Sequence, residues 1–229
     1  MNFEQQLKVL VYFHLEDHTS GRHLLQTLEE DDFARTVIAP PDGIKKSSFF
    51  EAINTRGLEQ LTHVFQHLYV QACTTLPEEY SELGELIAID GSLIDAVFSM
   101  HWADYRNGSK KAKVHLGFDI NHGIPSKIFF SNGKGAERPF VQKILVPGQT
   151  GIMDRGYQCH KRFDLWQNEG KYYVCRIKGN TSKEIIITNK VDENSIVFYD
   201  AVVLLGTPNV NQTEEKVRLI AYRANGKEY

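Results

Sequence analysis

The sequence predicts a mixed α/β fold with a helical segment in front and a β-rich segment behind. Three observations carry that expectation. Residues 1–82 place apolar side chains at helical spacing. From Leu86 onward, short apolar strands alternate with two amphipathic helices in the order βββαβαβ, which calls for a mixed sheet. Beyond residue 180 only β-branched runs remain, separated by Asn, Gly and Pro.

The helical segment divides at its breakers. Leu7, Leu10, Val11 and His14 stand at i, i+3, i+4 and i+7, the period of one buried helix face. A turn at Thr19-Ser20-Gly21 leads into a second helix through Leu24, Leu25, Leu28 and Phe33, and Pro40-Pro41-Asp42-Gly43 ends it. Ser47 or Ser48 is placed to cap a third helix, with Glu51 at capping-box distance from Ser48. A break at Gly57 precedes a long helical pattern from Leu58 to about Thr75.

In the middle segment, Leu86–Gly91 reads as a buried strand ending in Asp90 and a glycine. Lys113–Ile120 and Ile124–Phe130 read as a hairpin around Asn121-His122-Gly123. A helix over Ala136–Val146 carries Pro139 in its first turn, and Thr150–Asp154 is a short strand that again ends in an acid. A helix from Cys159 to Glu169 stops at Gly170, and Lys171–Ile177 is the fifth strand. Glu184–Thr188, Ile196–Leu205 and Val217–Arg223 complete the β-rich end, where Asn225-Gly226 is a turn that leads into a partner strand. The expected organisation is therefore 1–82 helical, 83–179 mixed core, and 180–229 β-rich.

Composition narrows the class. With 229 residues, 41% hydrophobic and 24% charged, the chain has globular rather than disordered or fibrous composition. Three cysteines (Cys73, Cys159, Cys175) form no C-x-x-C pair and no disulfide framework, which points to a reducing, cytoplasmic setting. The N-terminus has neither a basic lead-in nor a long apolar run, and no stretch has the length of a membrane span. Net charge is −3, yet residues 100–190 hold 16 Lys and Arg against 7 Asp and Glu. A basic middle in an acidic chain suits either a phosphate-facing surface or a solvated face.

Asp90 and Asp154 each close a short apolar strand. In α/β sheets the carboxyl ends of neighbouring strands present their side chains together. Two such acids either share a hard divalent cation, Mg²⁺ or Mn²⁺, or serve as strand-end and capping residues. Around them, Trp102, Tyr105, Arg106, Lys110, Lys111 and Lys113 interleave aromatic and basic side chains, suited to stacking on bases and contacting phosphates, or to a solvated loop. Arg155, Tyr157, Lys161 and Arg162 extend that set beside the second acid. His14 and His18 share a helix face but lack a third ligand for zinc, His115 reads as a core or rim histidine, and Asp119 either as a third acid or as the start of the hairpin turn with Asn121 and Gly123.

Taken in order, A-I-D-G-S (Ala88–Ser92), K-x-H-L-x-x-D (Lys113–Asp119) and M-D-R-G-Y (Met153–Tyr157) resemble the DDE transposases of bacterial insertion sequences, most of all the IS-four type. The resemblance implies an RNase H-like core in which Asp90 and Asp154 are the first two catalytic, metal-binding acids. It implies metal-dependent cleavage and transfer of DNA strands, with double-stranded DNA as partner, a homodimer on DNA and a nucleoid location. The family's third acid lies in a Y-x-x-R-x-x-x-E-x-x-x-x-x-x-K signature that these residues do not contain, so the expectation is a chain truncated before it. A structure-specific nuclease with the same core, or a DNA-binding remnant without catalysis, are the alternatives.

Overall fold

The computed structural model describes all residues except 57, 97–99, 107 and 108. The chain divides into two compact units, Met1–Phe65 and Gln66–Tyr229.

In the first unit, α1 (Phe3–Leu15) starts with a reciprocal cap: the Asn2 side chain accepts from the Gln5 amide, and Gln5 accepts from the Asn2 amide, each at 2.8 Å. α2 (Gly21–Glu30) is capped by Ser20, a π-helical turn follows at Ala34–Ile38, and α3 covers Lys46–Thr55. Val9, Tyr12, Leu24, Leu25, Leu28, Ala34 and Phe49 form the core.

Three sequence expectations are corrected in this unit. The buried face of α1 is Gln6, Val9 and Tyr12, not Leu7, Leu10, Val11 and His14. Gln6 can be buried because Arg56 donates to its Oε1 at 2.7 Å, which turns the helix relative to a face chosen from apolar residues alone. Phe33 is exposed, since α2 stops at Glu30. α3 begins at Lys46 with Lys45 as an extended N-cap that makes no side-chain bond, so Ser47 and Ser48 lie inside the first turn rather than capping it. The break at Gly57 falls outside the described residues. α4 (Leu58–Thr75) has no buried residue.

The second unit holds two sheets. The first has five strands in the order β3-β2-β1-β4-β5: β1 (Leu86–Asp95), β2 (Lys111–Asp119), β3 (Ile124–Asn132), β4 (Thr150–Met153) and β5 (Tyr172–Cys175). β1, β2 and β3 form an antiparallel meander, whereas β4 runs parallel to β1, and β5 parallel to β4. α5 (Arg138–Ile144) and α6 (His160–Asn168) connect the parallel strands, giving the expected βββαβαβ order. The one correction of consequence concerns β1. It does not end at Asp90 but continues to Asp95, because β2 pairs with it as far as Lys111.

Ile87, Ile89, Val141, Ile144, Leu145, Met153, Tyr157, Phe163 and Trp166 are buried in one cluster. Gly117 on β2 allows α5 to pack closely: a Cβ there would stand 2.5 Å from Ile144 Cγ2. The second sheet is antiparallel, β6-β7-β8-β9, with β6 (Lys183–Thr188), β7 (Val197–Leu205), β8 (Val217–Ala224) and β9 (Lys227–Glu228). Ala201, Val203 and Leu205 of β7 join the same buried cluster. The expected Asn-Gly turn joins β8 to β9, with φ of 51° at Asn225 and 71° at Gly226.

Candidate active site

The last rung of the β1–β4 ladder pairs Ile89 with Met153, and both side chains are buried. Asp90 and Asp154 are the next residues on each chain, and both are exposed. Side chains alternate faces along a strand, so Asp90 turns away from the face that Ile89 fills. Adjacent strands lie about 4.8 Å apart, so the two acids sit side by side where β4 leaves the sheet. Beyond Met153 the chain turns sharply: Asp154 Oδ1 accepts from the Gly156 amide at 2.7 Å and caps the short 3₁₀ turn Arg155–Tyr157.

A further carboxylate, Glu137, lies over the sheet on the segment between β3 and α5. That segment is tied down at three points across the sheet. Over β2, Lys113 Nζ donates to the Gly135 carbonyl at 3.0 Å and pairs with Glu137 Oε1 at 3.0 Å. Over β1, the Glu137 side chain lies on Gly91, where a Cβ would stand 2.9 Å from its Cγ and Cδ. Beyond β4, Arg138 Nε donates to the Gly156 carbonyl at 2.9 Å. Glu137 therefore lies on the Ile89 and Gly91 face of the sheet, opposite to the face that Asp90 takes.

Tyr157 closes the 3₁₀ turn that follows Asp154. Its ring is buried, and burial pushes the phenol above its ordinary range, followed by the fields of Glu137, Asp90 and Asp154. Cys175 on β5 donates its thiol toward the Asp154 carbonyl at 3.3 Å. Burial pushes that thiol up to about 12, so it remains protonated and serves as a donor. His115 is buried and stacks on Phe140 with ring centroids 3.6 Å apart, and its Nε2 lies 2.8 Å from Ser131 Oγ. Burial, then the neighbouring Lys113, hold its ring below the usual imidazole value.

The basic and aromatic candidates separate into two groups. Arg106, Arg155 and Lys161 are exposed, and Trp102 is half exposed. Lys111 pairs with Asp95 at 2.5 Å, and Lys113 is committed to Glu137. Lys110 and Arg162 are half-buried, Lys110 through a strand bridge to Asp104, and Tyr105 is packed against Gly133. Tyr157 is corrected: the 3₁₀ turn drives its ring into the core, so it offers no surface for stacking on a base. Glu137 escaped the sequence reading. The signal for it was an acid immediately before a helix-starting Arg-Pro, on the connection that must pass over β1.

No curated protein matches the chain. Among solved structures, it is similar to the piggyBac transposase in a synaptic complex with hairpin DNA, at 12% identity and a TM-score of 0.41. That similarity covers 94% of this chain and 50% of the other, so the chain spans about half the length of that protein. Residues 82–224, the segment that contains Asp90, Asp154 and β6–β8 of the second sheet, match the transposase DDE domain. With more than half of its length matched, the chain belongs to the transposase DDE domain family.

Proposed function

We propose that this chain forms the DNA-processing core of an insertion-sequence transposase, with Asp90 and Asp154 as the acids that bind divalent metal. The observation that carries it is the register: the two acids follow the paired residues Ile89 and Met153 on adjacent parallel strands. The donors gathered there are all carboxylate oxygens, which fits a hard cation such as Mg²⁺ or Mn²⁺. When bound, such an ion would polarise a phosphodiester and make water a stronger nucleophile.

The protein's own groups do the rest. Asp90 is held within β1 and Asp154 just past the end of β4, where the Gly156 amide fixes its orientation. Lys113 pairs with Glu137 at 3.0 Å and neutralises it on the Gly91 face of the sheet. Arg155, next to Asp154 and exposed, is placed to contact a DNA phosphate. In this reading residues 1–82 form a DNA-binding helical part, 83–179 the core and 180–229 an insertion. The whole enzyme works as a dimer on double-stranded DNA in the nucleoid.

The test is Mn²⁺ binding followed by spin resonance. Asp90→Asn and Asp154→Asn keep the shape of each side chain, and an Asn oxygen at 154 still accepts from Gly156. Affinity is expected to fall at least about tenfold in each variant, as one charged ligand is lost from a sparse site. Unchanged Mn²⁺ affinity in both variants would remove the acids from the metal site. Loss of Mn²⁺-dependent plasmid nicking with DNA binding retained separates an enzyme from a DNA-binding remnant.

A further inference from the structure

A second cluster of ligating side chains lies at the other end of the sheet. Asp119 ends β2 and pairs with Ile87, three residues before Asp90 on β1, which places it about 10 Å along the strand from the acids described above. The cluster comprises Cys73 of α4, Asp119 and His122 of the β2–β3 turn, and their ligand atoms all lie within 4.8 Å of one another. Asp119 is buried, while Cys73 and His122 are half-buried.

The turn that presents them is held in place. Asn121 donates to the carbonyls of Glu79 and Gly84 at 3.0 Å each and accepts from the Leu86 amide at 2.7 Å. Asp119 Oδ1 accepts from the His122 amide at 3.1 Å, and its Oδ2 lies 2.9 Å from His122 Nδ1. Tyr69, one helical turn before Cys73, donates to Asp119 Oδ2 at 2.9 Å.

We infer that Cys73, Asp119 and His122 form a binding site for a borderline-soft transition metal of the Zn²⁺ class, separate from the carboxylate site. The donor set decides the class: one thiolate, one imidazole and one carboxylate suit Zn²⁺ or Co²⁺, whereas Mg²⁺ selects oxygen alone. Zinc bonds of about 2.0–2.3 Å require the three donors to draw somewhat closer than 4.8 Å, a shift within reach of side-chain rotation. The fourth position falls to water. Binding requires loss of the thiol proton, and the Asp119–His122 hydrogen bond gives way to two bonds to the metal. The role is structural, joining α4 to the closed end of the β2–β3 hairpin.

The experiment is titration of the full chain with Co²⁺, then displacement by Zn²⁺. The expected result is one equivalent of Co²⁺ with a thiolate charge-transfer band and the visible bands of tetrahedral cobalt, displaced by Zn²⁺ with a rise in Tm. Cys73→Ser and His122→Gln lose the bands while circular dichroism is unchanged, and Cys159→Ser and Cys175→Ser keep them. Asp90→Asn also keeps them, which separates this inference from the carboxylate reading. Absence of a thiolate band in the full chain, or a band that survives Cys73→Ser, overturns the site.

Discussion

Gly91 shows how a single missing Cβ seats a neighbouring side chain. Any side chain there would press on Glu137, whose Cγ and Cδ stand 2.9 Å from the position a Cβ would take. Glu137 is flexible at its end, so Gly91→Ala should displace the carboxylate rather than unfold the strand. The expected outcome is a Tm change of a few degrees at most and a weakened Lys113–Glu137 pair, which calorimetry of the variant beside Lys113→Ala checks. A large Tm loss would mean that Glu137 is rigidly held. Asp90 and Asp154 were legible in the sequence because each follows a short apolar run, and their adjacency followed from strand order. The Lys113–Glu137 pair was not, because the path of the β3–α5 connection over β1 is set by packing rather than by local sequence. Tyr157 failed in the opposite sense: an aromatic beside Arg155 looks exposed in sequence, but a 3₁₀ turn reverses the direction of its ring.

Among the elements, the β7–β8 pair contains a charge-dependent contact that can be measured. Asp200 accepts two bonds from Arg218, at 3.1 and 2.7 Å, and one from Asn189 at 3.0 Å. The Arg218 bonds, then Asn189, hold its carboxyl below the usual carboxylate range. A carboxylate with a lowered folded-state pKa contributes stability above its unfolded value of about 4 and loses it as pH falls through the folded value. Urea midpoints should therefore decline on acidification, and Asp200→Asn should flatten that part of the decline while lowering the midpoint near neutrality. If the acid limb is the same in the variant, the pair does not couple to folding. Most strands and helices were readable from periodicity to within a few residues, since burial imposes it. The face of α1 was misread because a buried Gln6 satisfied by Arg56 breaks the rule that polar residues face water. The length of β1 was misread because its second half is specified by pairing with β2 rather than by apolar character.

For the whole molecule, net charge of −3 conceals a basic middle segment, and DNA binding by that segment would depend strongly on salt. If about four phosphates are neutralised, affinity for duplex DNA should fall between three and four orders of magnitude for a tenfold rise in salt. Arg155→Ala with Lys161→Ala should reduce the slope by about two without altering sequence preference, because phosphate contacts do not read bases. A gel or filter assay with a flat salt dependence would count against a nucleic-acid surface here. The order β3-β2-β1-β4-β5 also has a kinetic meaning. β1, β2 and β3 are neighbours in sequence and can close as local hairpins, whereas β1 meets β4 only after a loop of some sixty residues is closed, which is slow. Asp90 is therefore in place early, and Asp154 and the buried Trp166 arrive with the late step. During synthesis the nascent chain would hold a meander with Asp90 alone, and the metal site proposed above would be completed only when the parallel half of the sheet has docked.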